Sequence, residues 1–182
     1  LSVCINSDDN GNDDWQPSLM KYANDNKISI MSLNDLYKIK DLYFFSLEFD
    51  KIIKTKKFLS TNLFNFHFSL LPKYRGCHTN YLQIKNGETV SGVTCHEIDD
   101  GIDTGRIIDQ LIYKIDINDT SKDNYFKLMS SASKLFINLF DQIISGNYST
   151  TEQKNSDATY FSRKSINYKD EKINTDEDLV VI

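Results

Sequence analysis

The sequence has 182 residues, a formal charge of −5 and 40% hydrophobic residues, with ten Tyr, eleven Phe and two Pro. That is the profile of a folded globular chain burying about two-thirds of its unfolded surface. The acidic balance, without clustered Lys and Arg interleaved with aromatics, excludes a nucleic-acid-binding footprint, and no apolar run approaches the ~20 residues of a membrane span.

Residues 1–6 open the chain with an apolar run that lacks the basic flank of a secretion signal, which points to the cytoplasm. Further short apolar runs at 28–31, 42–47, 63–68, 90–98 and 106–115 read as strands. Pro17 marks a helix start before Leu19, Met20 and Ala23, and residues 78–85 offer a second short helix. Strands alternating with helices predict an α/β fold with a doubly wound, mostly parallel, Rossmann-like sheet.

The longest periodic segment is 121–144. Its stripe of Tyr125, Leu128, Met129, Ala132, Leu135, Phe136, Leu139, Phe140, Ile143 and Ile144 predicts a helix packed on the core. Thr120 or Ser121 caps its start and Gly146 its end. Residues 1–146 therefore form the main domain, and 147–182 a polar extension. Tyr160 and Phe161 anchor that extension to the body or to a second subunit, ahead of a charged stretch and an apolar end at 179–182. Sheet edges and apolar tails of this kind predict a homodimer. Cys4, Cys77 and Cys95 are odd in number and outside any CxxC spacing, so they form neither a disulfide framework nor a zinc site.

Two segments carry chemistry. In the first, Asn65 and His67 lie two apart at a strand end and share a face, at the crevice where α/β sheets bind ligands. Ser69, Leu70, Leu71 and Pro72 follow, and Arg75-Gly76 closes the loop. In the second, the strand from Gly92 leads into a loop holding Asp99, Asp100, Gly101, Asp103 and Gly105. Asp103, at its tip, can reach His67 to orient the imidazole or pass a proton through water. Taken singly these residues have plainer readings. A lone strand-end His is usually structural, Asp99 and Asp100 beside glycine form turns, and the acid spacing is not that of a calcium loop. His78 and His96 lack ligand-spaced partners and read as structural or surface residues. No G-x-S-x-G elbow surrounds Ser69.

Taken together, the two segments resemble the folate-dependent formyltransferase family, and within it the nucleotide-sugar N-formyltransferases of the dTDP-4-amino-4,6-dideoxyglucose type. The family pattern Asn-x-His followed by Ser-Leu-Leu-Pro and Arg-Gly falls on Asn65, His67, Ser69, Leu70, Leu71, Pro72, Arg75 and Gly76. Its later Gly-Val-Thr and Asp-Thr-Gly fall on Gly92-Val93-Thr94 and Asp103-Thr104-Gly105. The resemblance implies the formyltransferase fold, 10-formyltetrahydrofolate as co-substrate, no metal, and Asn65, His67 and Asp103 as the catalytic set. It also implies a folate pocket at Ile98, Asp99, Asp100, Gly101 and Ile102, and an amine-substrate site at Ser69, Leu70, Leu71, Pro72, Tyr74, Arg75 and Gly76.

For the acceptor, neither the basic charge nor the extra barrel domain of the tRNA enzymes is apparent, and the Gly-rich phosphate loop of the glycinamide enzymes is missing. A nucleotide-linked amino sugar, most simply a dTDP-4-amino-4,6-dideoxyhexose for surface polysaccharide or O-antigen synthesis, is the expected acceptor. Relatives open with a strand–turn–helix unit ahead of the part that residues 1–6 match, and the expectation is that this sequence starts after it. Formyltetrahydrofolate hydrolysis, a glycinamide-type transferase and a non-catalytic binding module are the alternatives.

Overall fold

The computed structural model describes residues 1–167. The chain divides between Leu63 and Phe64 into two units, and the extension belongs to the second.

In the first unit, β1 (Ser2–Val3) pairs in parallel with β2 (Ser29–Ile30), and α1 (Leu19–Asp25) lies between them in sequence. The expected helix start at Pro17 holds within two residues. Ser18 is the N-cap, and its hydroxyl oxygen accepts the Lys21 N–H at 3.0 Å while donating to Asp9 at 2.6 Å. That satisfies a backbone donor the helix cannot satisfy itself. α2 (Leu33–Leu36) and β3 (Tyr43–Leu47) follow. Ala23, Leu36, Phe44 and Phe58 are buried, with the Phe58 ring edge-on to Tyr37 at 4.7 Å and tilted against Phe44 at 5.5 Å.

The division falls within β4 (Asn62–His67), and the second unit holds the rest of that strand with β5 (Arg75–Gly76), α3 (Thr79–Lys85), β6 (Val90–Glu97), β7 (Ile107–Lys114), α4 (Ser121–Ile144) and β8 (Tyr160–Phe161). β6 runs antiparallel to both β4 and β7, with Asn65 opposite His96 and His67 opposite Thr94. The α/β class holds with parallel strand pairs at β1–β2 and β5–β8. The antiparallel β6–β7 pair follows from its connection, because residues 98–106 suffice for a hairpin and fall short of the dozen or more that a parallel crossover needs.

α4 has the predicted bounds. Thr120 and Asp123 form a reciprocal capping box, and Gly146 takes φ +69° just past the end. Tyr125, Leu128, Ala132, Leu135, Leu139 and Ile143 are buried, and the helix packs on α3, β6 and β7. Burying each Leu contributes about 1.5–3 kcal/mol. Met129, Phe140 and Ile144 lie on the flank of the stripe and stay exposed.

The extension doubles back onto the body of its own unit. Thr151 and Ile107 exchange two backbone hydrogen bonds of 2.8 Å. β8 pairs with β5, and the Phe161 ring stacks on Tyr74 at 5.7 Å. Phe161 therefore anchors the extension to the body, while Tyr160 remains half exposed. The charged stretch from residue 168 and the apolar end at 179–182 lie outside the described residues. Cys4, Cys77 and Cys95 are all free thiols, with Cys95 buried. No described helix is long and apolar enough to cross a membrane.

Candidate active site

β4 presents Asn65 and His67 on one face at its carboxyl end, and the loop after β6 brings Asp103 to them. Asp103 adopts φ +53°, a left-handed conformation that Asp tolerates better than most residues. Its Oδ2 accepts the Gly76 N–H at 2.8 Å and lies 3.5 Å from His67 Nδ1, while its Oδ1 accepts from Asn65 Nδ2 at 3.2 Å. Gly76 is required where it stands. At φ +92°, a Cβ there would fall 2.1 Å from the Phe161 carbonyl oxygen.

Hydrogen-bond partners fix the orientation of the two rings. His67 Nε2 lies 2.7 Å from the Tyr74 carbonyl, which can only accept, so Nε2 carries a proton. Likewise, His96 Nδ1 donates to the Glu97 carbonyl at 2.7 Å, leaving Nε2 to accept from Asn65 Nδ2 at 3.2 Å. Both N–H groups of the Asn65 amide are thereby engaged, one by His96 and one by Asp103.

Burial pushes His67 below its ordinary 6.5, against the opposing pull of Asp103 and the Tyr74 carbonyl. The ring is neutral at pH 7, with a lone pair on the Nδ1 that faces Asp103. Burial acts to raise the Asp103 carboxyl as well. It is outweighed by His67, His96 and the Gly76 N–H, which hold Asp103 down to about 2. Near pH 7 the Gly76 and Asn65 N–H groups still donate to the carboxylate. Asp103 is then an ionised carboxylate beside a neutral imidazole.

Residues 47–140 match the Formyl transferase family, just over half of the chain. The chain belongs to that family. An N-formyltransferase from Helicobacter canadensis, solved with folinic acid and dTDP-3-aminofucose, shares 50% identity over 93% of this chain and 62% of its own, at a TM-score of 0.89. A sugar 3N-formyl transferase solved with dTDP and 5-N-formyl-THF also shares 50% identity, covering 95% of this chain and 63% of its own at a TM-score of 0.91. The methionyl-tRNA formyltransferase of Wigglesworthia glossinidia brevipalpis is 35% identical over 78% of this chain. The chain spans 44% of that relative and less than two-thirds of the other two.

Around Asn65, His67 and Asp103, the loop expected to hold the amine substrate is largely buried structure. Ser69 is fully buried and donates to the Lys73 carbonyl at 2.7 Å, while Leu71 and Arg75 are also buried and Leu70 and Pro72 half-buried. Thr94 pins the loop by accepting the Leu71 N–H at 3.1 Å and donating to the Ser69 carbonyl at 2.7 Å. Tyr74 directs its hydroxyl to Glu88 at 2.6 Å and its carbonyl to His67. Among these residues, the Gly76 N–H reaches Asp103 and the Tyr74 carbonyl reaches His67.

In the stretch expected to contact folate, Ile98 is half-buried, and Asp99, Asp100, Gly101 and Ile102 are exposed. Asp99 shapes the turn by accepting from the Gly101 N–H at 3.0 Å and the Thr104 hydroxyl at 2.6 Å. No group of His, Cys, Asp and Glu among the described residues is arranged to hold a metal.

Sequence reasoning missed His96, which is buried against Asn65 with its Nε2 3.6 Å from Asp103. The signal was available, since His96 lies on the strand paired with β4, directly opposite Asn65. His78 is half-buried at the start of α3, where its Nε2 meets the Arg163 carbonyl at 3.0 Å.

Proposed function

We propose that the chain transfers the formyl group of 10-formyltetrahydrofolate to the amino group of a dTDP-linked amino sugar. The observation that carries this reading is the buried His67, whose Nδ1 stands 3.5 Å from the Asp103 carboxylate. As the amine nitrogen bonds to the formyl carbon it must lose a proton, and His67 Nδ1 is the base placed to take it. The imidazolium so formed is stabilised by the Asp103 carboxylate, then returns the proton to the folate nitrogen as the old C–N bond breaks. Asp103 stays ionised throughout and His67 does both halves of the proton transfer. The oxygen of the formyl group gains charge in the same step, and a donor aimed at it is worth a few kcal/mol. Asn65 can serve there by exchanging its hydrogen bond to Asp103 or His96 for one to that oxygen.

The dTDP sugar is supported by the two relatives at 50% identity, whose names carry a 3-amino sugar and a 3N position. They favour the 3-amino group over the 4-amino group that the sequence resemblance suggests. A sugar nucleotide of this kind suits surface polysaccharide or O-antigen synthesis in the cytoplasm, and a homodimer fits the exposed sheet edges.

The test is incubation of the full-length protein with 10-formyltetrahydrofolate and dTDP-, UDP- and GDP-linked 3- and 4-amino sugars, read by mass spectrometry for a formyl gain. One sugar should gain a formyl group, and His67→Ala should lower kcat by about 10²–10⁴-fold with folding intact. Formate release without transfer would replace this reading with folate hydrolysis. Full activity in His67→Ala would remove the mechanism.

A further inference from the structure

The side-chain amide of Gln153, in the extension beyond α4, uses its full hydrogen-bonding capacity on the two loops that build the site. Its Nε2 donates to the Asp103 carbonyl at 2.9 Å and to the Gly105 carbonyl at 2.7 Å. Its Oε1 accepts from Arg75 Nε at 3.1 Å and Nη2 at 2.7 Å. Two donors and two acceptor lone pairs are thus spent, one pair on each loop. The loops meet directly where the Gly76 N–H donates to Asp103 Oδ2, and Gln153 is a further bolt immediately behind that contact.

Gln153 is itself held. Thr151, two residues earlier, is fixed to Ile107 by two backbone hydrogen bonds, and Asn155, two residues later, accepts from Arg75 Nη2 at 3.1 Å. Arg75 is 8% exposed, and the partners seen for its guanidinium are these two neutral amides. A side chain tied at four points between two anchored neighbours does little that a surface residue needs. It does what the left-handed Asp103 backbone needs, because nothing in the intrinsic preference of Asp holds φ at +53°.

We infer that Gln153 is a positioning residue for formyl transfer, clamping the Asp103 loop to Arg75 so that the carboxylate stays beside His67 Nδ1. The inference rests on the acid/base reading above. It extends the functional unit past residue 140, where the family match ends, into the extension.

Two substitutions separate positioning from simple stability. Gln153→Glu keeps an acceptor for Arg75 and strengthens it with charge, but presents carboxylate oxygens to the Asp103 and Gly105 carbonyls and so breaks the clamp on one side only. Gln153→Met keeps the shape and breaks both sides. Both should fold. Because a displacement of about 1 Å at the reacting groups costs up to about 10²-fold, kcat should fall by about 10–100-fold in each while KM for the sugar changes by less than about three-fold.

A second readout does not depend on the acceptor sugar. His67 can be titrated by NMR in histidine-labelled full-length protein, with His78→Gln and His96→Gln used to assign the three rings. Asp103 raises the His67 pKa, so releasing the Asp103 loop in Gln153→Met should shift the His67 titration to lower pH. An unmoved His67 titration in Gln153→Met would overturn the inference, as would a kcat loss that merely follows the folded fraction in both variants. If the titration moves and no formyl acceptor is found, the clamp stands and the assigned reaction falls instead.

Discussion

α4 and the strap of residues 147–163 that follows it are built in opposite ways. The helix makes its backbone hydrogen bonds within itself, caps itself with Thr120 and Asp123, and buries a stripe set by its own 3.6-residue period. The strap draws most of its fixed backbone bonds from other segments: Thr151 from Ile107, Thr159 from Pro72 and Arg75, and Phe161 from Cys77. Damage to the helix should therefore appear as lost stability shared by the whole unit. Damage to the strap should appear as misplacement of Gly76 and Asp103.

The largest expected effect is on the helix side. Leu128 is fully buried, and Leu128→Ala should cost about 2–5 kcal/mol in denaturant unfolding while kcat per folded molecule stays unchanged. A fall in kcat beyond the folded fraction would break the contrast. On the strap side, Gly76→Ala forces a Cβ against the Phe161 carbonyl at an unfavourable φ. It should cost about 3 kcal/mol and also depress kcat at temperatures where the protein remains folded, which sharpens the contrast.

Acid should act on the strap-held side as well. Asp103 titrates at about 2 when folded against 3.8 in the unfolded chain, so its contribution is complete above about pH 4 and lost as the pH falls through about 2. The amount is about 2 kcal/mol, and Asp103→Asn should not show that loss in an acid unfolding series. His67, whose pKa is also depressed by folding, contributes stability that is present above 6.5 and lost as the pH falls through its lower folded value. The kcat/KM profile should accordingly lose its acid limb below 6.5. The smallest effect is Thr120→Ala, which removes the acceptor for the Asp123 N–H and should cost about 1 kcal/mol with no change in kcat.

The same contrast explains what could be read from the sequence. The bounds and core face of α4 were legible because helical period and capping are local properties. Asn65 and His67 were legible as a pair because period-two alternation puts them on one face of β4, and Asp103 because glycines and acids mark a bending loop. Gln153 carries no such mark. Its role is set by residues 75, 103 and 105, far away in sequence, and a glutamine in a polar stretch looks like any solvated side chain. His96 was obscured in a different way, since the antiparallel register of β6 on β4 that sets it opposite Asn65 is a tertiary fact. The buried Ser69 and Leu71 show that a motif can be recognised for its residues while most of them serve to hold the shape of the loop.

The pairing of β5 with β8 joins two-residue strands separated by some 85 positions, as in the 2.7 Å bond from the Tyr74 N–H to the Thr159 hydroxyl. Contacts that close so long a chain carry a large entropic cost and form only once nearer pairings have narrowed the search. The refolding chain should thus complete its helices and the β6–β7 hairpin before Gly76 and Asp103 meet. Regain of catalytic competence would then trail regain of secondary structure, with the order of assembly written into the distance between the two strands.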